Sequence, residues 1–169
     1  PSDNDYKTSR QIIRMFCDCL TLGGKMLLDV GPKEDGTLDE RQVKVLEDLG
    51  TFIHDNEEAI YETEKGLSYS QFLGGSTLSK DKKTIYLFVY DKPSENLCIK
   101  GVKTPVKRVT VLHTGEELSF SYTGALPWSG IPGTLWIRAD KMKEHPLVTV
   151  LKVELEGEIT YNLGHGEVV

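Results

Sequence analysis

The spacing of apolar residues changes period once along the chain, near Gly66. Before that point it is helical. Ile12, Ile13, Phe16, Cys17 and Leu20 fall on one helical face, Thr8 or Ser9 stands ready to cap it, and Gly23-Gly24 ends it. Lys25-Met-Leu-Leu-Asp-Val30 is a nearly continuous apolar run closed by Gly31-Pro32, the pattern of a strand covered on both sides. Asp35-Gly36 predicts a turn and Thr37-x-x-Glu40 a capping box. The helix that follows carries Val43, Leu46 and Ile53 as its buried stripe, broadened by Val45, Leu49 and Phe52. After Gly66 the period is two. Ile85, Leu87 and Val89 alternate with Tyr86, Phe88 and Tyr90, a strand covered on both faces. Leu97 with Ile99, Val109 with Val111, Leu118-Phe120-Tyr122, Leu135 with Ile137, and Leu151-Val153-Leu155 mark further strands. Gly, Pro and Asp turns separate them with no helices between, which predicts an antiparallel sandwich.

A buried parallel strand cannot satisfy its own backbone groups; it needs strands beside it. The first sixty-odd residues offer only one. Residues 1–65 therefore read as a helix-strand-helix piece of a larger α/β fold, and residues 66–169 as an all-β sandwich. The expected fold class is an α+β fragment followed by an antiparallel β-sandwich.

Composition narrows the function. With 38% hydrophobic and 27% charged residues, the 169-residue chain is globular in character. A formal net charge of −6, with scattered basic residues, argues against nucleic acid as a partner. No apolar stretch reaches the length of a membrane span. The acidic opening 1–5 is not a signal peptide and predicts a truncated start. The 3 cysteines include Cys17 and Cys19, whose spacing on a helix points them apart; all three read as small hydrophobes rather than disulfide partners or metal ligands.

Gly23-Gly24-Lys-Met-Leu-Leu-Asp-Val-Gly-Pro32, followed by Asp35-Gly36, resembles the motif that ends the catalytic barrel of family 29 α-L-fucosidases. Val45-Leu-Glu-Asp-Leu-Gly50 and Asn56-Glu-Glu-Ala-Ile-Tyr61 continue the likeness. Ile99-x-Gly101, Val109 to Leu112, Thr114-Gly-Glu116 and Val150 to Leu155 are similar to that family's C-terminal sandwich. Lys25 and Asp29 stand where the family has Asn, and Glu57 where it has Gly. The resemblance implies that residues 6–56 are the final helix, strand and helix of a (β/α) barrel. It implies membership of an enzyme that removes terminal α-L-fucose from glycans with retention of configuration. Both catalytic carboxylates of the family lie upstream of the Gly-Gly motif, so no catalytic residue is carried over to this chain. It further implies a secreted or periplasmic location, a fucosylated glycan as partner of the complete enzyme, and no cofactor. Residues 1–65, alone, are expected to need the rest of the barrel, or self-association, to cover them.

Two residues stand out as candidate substrate contacts. Asp29 lies near the C-terminal end of the predicted strand, the end at which barrel enzymes place their chemistry. The ordinary explanation for such a carboxylate is hydrogen bonding to the N–H groups of the Gly-Pro turn, and direct sugar contact is the sharper one. Trp128 lies in a loop-like stretch, 126–130, and offers a flat apolar face to a pyranose ring; Trp136, Tyr122 and Tyr161 are the other aromatics considered. Lys25 begins the strand at the opposite end and reads as solvated. The acids from Asp35 to Glu40 lack the alternate spacing of a calcium loop. His54, His113, His145 and His165 are too dispersed in sequence for a metal trio, and Gly164-His-Gly166 has no helix after it to cradle a phosphate. No G-x-S-x-G elbow is present. The alternative to a fucosidase portion is a non-catalytic carbohydrate-binding or structural module.

Overall fold

A computed structural model of the protein describes residues 6–126, 128 and 130–162. Among these residues three helices, α1 (Ser9–Thr21), α2 (Glu40–Asp55) and α3 (Glu57–Ile60), precede eight strands. These are β1 (Thr63–Lys65), β2 (Gly75–Ser79), β3 (Thr84–Val89), β4 (Leu97–Ile99), β5 (Val106–Val111), β6 (Phe120–Thr123), β7 (Thr134–Ile137) and β8 (Thr149–Leu155). The strands form two antiparallel sheets, ordered β1-β2-β3-β8-β5 and β4-β7-β6.

The helix α1 begins as its sequence predicts. The Thr8 hydroxyl accepts the Gln11 N–H while the Gln11 side chain accepts the Thr8 N–H, a complete capping box. Ile12, Ile13, Cys17 and Thr21 form its buried face. The helix closes through a left-handed Gly23 (φ 79°), whose N–H donates to the Leu20 carbonyl.

The segment 24–30 departs from expectation. It runs as irregular chain with no ladder partner, Leu27 is 87% exposed, and only Met26 and Leu28 are partly covered. An apolar run becomes a strand only when neighbouring strands take its backbone groups, and none among the described residues pairs with it.

The start of α2 also differs. Asp39, not Thr37, is the cap, its carboxylate accepting the Arg41 N–H at 3.0 Å. Thr37 instead donates its hydroxyl to Asp35 at 2.7 Å inside the preceding turn. Of the predicted stripe, Phe52 is fully buried, Leu49 and Ile53 are half-buried, and Val43 and Leu46 are exposed. The reason is that α2 is covered only along the side that meets α1 and the sheet.

The large sheet has two apolar faces, and this organises the whole chain. Register sets Ile85 beside Val153 and Leu87 beside Leu151, with Val109 and Val111 completing the rows on β5. That face meets Ile99, Leu135 and Ile137 of the small sheet to form the inter-sheet core. On the opposite face Phe88 pairs with Val150, and together with Tyr86 they bury Ile13, Cys17, Phe52, Ala59 and Ile60 of the helices. The alternation Ile85/Leu87 against Tyr86/Phe88 is thus divided between two cores, as a strand covered on both faces requires. The protein is three layers deep: helices, five strands, three strands.

Two details lock the helical layer on. The buried Thr77 hydroxyl donates to the Ala59 carbonyl at 2.8 Å, joining α3 to β2. Gly75 lets the end of α1 approach β2, since a Cβ there would lie 2.9 Å from the Thr21 side chain. Strands β1 and β2 have no counterpart in the periodicity of the sequence; β1 forms the edge of the large sheet beside β2.

Candidate functional site

Asp29 sits in the exposed connection between α1 and α2, on a hollow of about 350 Å³ shared with Tyr6, Ile12, Met15, Arg41 and Gln42. It makes no hydrogen bond or ion pair among the described residues. Beside it Arg41 grips Asp39 through two hydrogen bonds, at 2.8 and 3.0 Å, and lies 4.1 Å over the Tyr6 ring. These bonds to Arg41 hold the Asp39 carboxyl well below the usual carboxylate range. The Gln42 side-chain oxygen, beside this hollow, is buried with no partner among the described residues. The hollow is therefore polar on its Arg41 side, apolar along Ile12 and Met15, and open. Lys25 is exposed, as expected.

The aromatics do not assemble into one platform. Tyr122 accepts the Val106 N–H at 3.0 Å, tying β6 to the start of β5, and burial raises its phenol pKa. Tyr161 bridges to Val102 and joins the inter-sheet core. Trp136 lies on the outward face of the small sheet between buried Leu135 and Ile137, its indole N–H donating to the Thr123 hydroxyl at 2.7 Å. Trp128 stands apart in the β6–β7 connection at 85% exposure. It is the one of the four whose ring is free to meet a ligand.

Three features escaped the sequence reading. A hollow of about 650 Å³ lies where α1 ends against residues 65–76, with Asp18, Leu22, Tyr69, Leu73 and Tyr90 on its walls. There the Tyr90 hydroxyl donates to Asp18, and burial followed by that bond raises the phenol pKa. Arg10 and Arg14 both reach the Tyr90 carbonyl and Asp91, pinning α1 to the end of β3. Third, His113 and His145, far apart in sequence, meet edge to face with ring centroids 5.1 Å apart. Only the pairing of β5 with β8 reveals that proximity. His165 and the Gly164–Gly166 stretch lie outside the described residues, as does the chain's opening 1–5. Cys17 is buried, Cys19 and Cys98 are half-buried, and all three are free thiols.

The family model for alpha-L-fucosidase matches residues 1–58, the stretch that holds the Gly-Gly to Gly-Pro segment and α2. The plasma alpha-L-fucosidase of Homo sapiens is 33% identical over 60 residues, covering 36% of this chain and 13% of that protein. The alpha-L-fucosidase of Vibrio sp. strain EJY3 shares the fold over 95% of this chain and 28% of its own, with a TM-score of 0.80 at 24% identity. Alpha-L-fucosidase isoenzyme 1 of Paenibacillus thiaminolyticus matches 90% of this chain and 35% of its own, at a TM-score of 0.72 and 25% identity. Residues 1–58, which include the Gly23–Pro32 motif, are thus similar in sequence to alpha-L-fucosidases, and the described fold as a whole is similar to that of solved alpha-L-fucosidases. The chain spans 13% of the plasma enzyme's length.

Proposed function

We propose that this chain is one portion of a retaining α-L-fucosidase that hydrolyses terminal α-L-fucose from glycans, with residues 1–65 closing its (β/α) barrel and residues 66–169 forming its sandwich. The observation that carries this reading is the segment 24–30. It lies inside the family match, has the composition of a doubly covered strand, and leaves Leu27 87% exposed with no ladder partner. A barrel supplies the missing neighbours on both edges.

Retention requires two carboxyl groups roughly 5 Å apart, one attacking the anomeric carbon and one acting as acid and then base. In the proposed enzyme that pair comes from barrel strands preceding the Gly-Gly motif. Asp29, at the end of the closing strand, then faces the sugar site, and Trp128 offers its exposed ring to a more distant part of the glycan. The same family supports a secreted or periplasmic setting; no helix among the described residues is long and apolar enough to cross a membrane.

The test is turnover. Residues 1–169 alone are expected to release no nitrophenol from nitrophenyl α-L-fucoside, and the same chain joined to an upstream fucosidase barrel is expected to release it. Clear turnover by residues 1–169 alone overturns the reading. The exposure of Trp128 favours a second reading, a glycan-binding sandwich, which requires measurable glycan affinity that Trp128→Ala abolishes.

A further inference from the structure

The contact between α2 and the sandwich is closed by a cluster with its own chemistry. His145 stands in the loop before β8 and is 8% exposed. Its ring is wedged between Phe52 of α2, at 5.6 Å and 72°, and His113 in the turn after β5, at 5.1 Å and 89°. Its Nδ1 accepts the Leu147 N–H at 3.2 Å, so the ring's proton resides on Nε2, which lies 3.5 Å from Asp55 Oδ2 at the end of α2. The His145 N–H donates to the Thr149 hydroxyl at 2.9 Å, fixing the same loop through its backbone. On the other ring, His113 Nδ1 is buried with no hydrogen-bond partner among the described residues.

This arrangement favours neutral rings. A proton added to His145 has no site but Nδ1, where a backbone donor already points; two N–H groups would then face each other and the 145–147 loop would have to open. A cation on His113 would sit against the His145 ring with a buried nitrogen still unpartnered. Two carboxylates face the pair and favour the charged forms: Asp55 from α2 and Glu116 from the turn after β5. The neighbouring charges are otherwise engaged. Glu144 pairs with Lys92, His54 lies beside Glu57, and the Lys143 N–H donates to Glu116. Burial outweighs the carboxylates for both rings and holds their pKa below the ordinary histidine value.

We propose that His113 and His145 form a pH-responsive clamp that holds the last turn of α2 on the sandwich, shut while both rings are neutral and released when either takes a proton. The sign follows from linkage. Because the closed state binds protons more weakly than the open one, the clamp is complete above about pH 6.5, the free imidazole value, and weakens as pH falls from there. The inference uses contacts within this chain and is independent of fucosidase activity.

Amide exchange of Leu49 to Asp55 in the intact protein, corrected for the intrinsic pH effect, reads the clamp directly. Lowering pH from about 7.5 to about 5.5 is expected to raise the opening equilibrium of that turn by up to about tenfold, the limit set by an open-state imidazole titrating near 6.5 while the closed state takes up no proton in that range. His145→Gln, which retains an N–H toward Asp55 but cannot bind a proton, is expected to flatten the dependence, and the exposed His54→Gln to preserve it. A flat profile in the unaltered protein, or an unchanged one in His145→Gln, overturns the proposal. Should His145→Gln fail to fold, the nitrogen resonances of His145 in the unaltered protein decide. A neutral Nε2–H ring persisting below about pH 6 supports the clamp, and an ordinary titration near 6.5 overturns it.

Discussion

Residues 25–30 and 84–89 are each six residues long and dominated by apolar side chains, and they end in opposite states. The second is the centre strand of the large sheet, with Leu87 fully buried in one core and Phe88 in the other. The first lies largely exposed between two helices, with Met26 and Leu28 half-buried and Leu27 outermost. Local pattern does not separate them. What separates them is company: β2 and β8 flank residues 84–89 on both edges, while residues 25–30 pair with no strand among the described residues. An apolar run states how much covering a segment needs, and the rest of the fold decides whether it is met.

That contrast can be broken by substitution. Phe88→Ala is expected to cost about 3–5 kcal/mol in urea unfolding, because it opens a cavity between sheet and helices. A loss under about 1 kcal/mol would mean that the helical layer does not bear on the sheet as described. Thr8→Ala removes the hydroxyl half of the α1 capping box and is expected to cost about 0.5–2 kcal/mol, seen as a lower Tm with no change of fold. Leu27→Asp should do least: a change within about 0.5 kcal/mol for this chain alone, since an exposed side chain loses nothing on becoming charged. The same substitution should block association with a fucosidase barrel, where residue 27 would become buried. If Leu27→Asp strongly destabilises the lone chain, the segment is already covered and the comparison fails.

The sandwich was largely legible, for reasons the same comparison explains. Strands β3, β5, β7 and β8 carry a regular two-residue alternation, and both of their faces, or one, reach a core. Strand β2, Gly-Ser-Thr-Leu-Ser, buries Ser76 and Thr77 beside Leu78, so its burial leaves no apolar signature. The cap of α2 is ambiguous in sequence because Thr37 and Asp39 are both good capping residues, and the Asp35 turn claims the first. The stripe of α2 was overestimated because half of it has no layer to face. Of the candidate contacts, the exposure of Trp128 matched the loop-like sequence around it. The His113–His145 meeting was invisible, because it depends on which strands pair and not on spacing along the chain.

The two-faced sheet has a consequence for how such a sandwich can be inherited or transplanted. A gene segment beginning at β1 would deliver a plank with Tyr86, Phe88 and Val150 bare along one side, prone to sticking to its own copies. To travel as a soluble unit, the eight strands must bring α1 to α3 with them. The smallest portable piece of this protein is thus set by the coat on its large sheet, and that coat includes α1, α2 and α3.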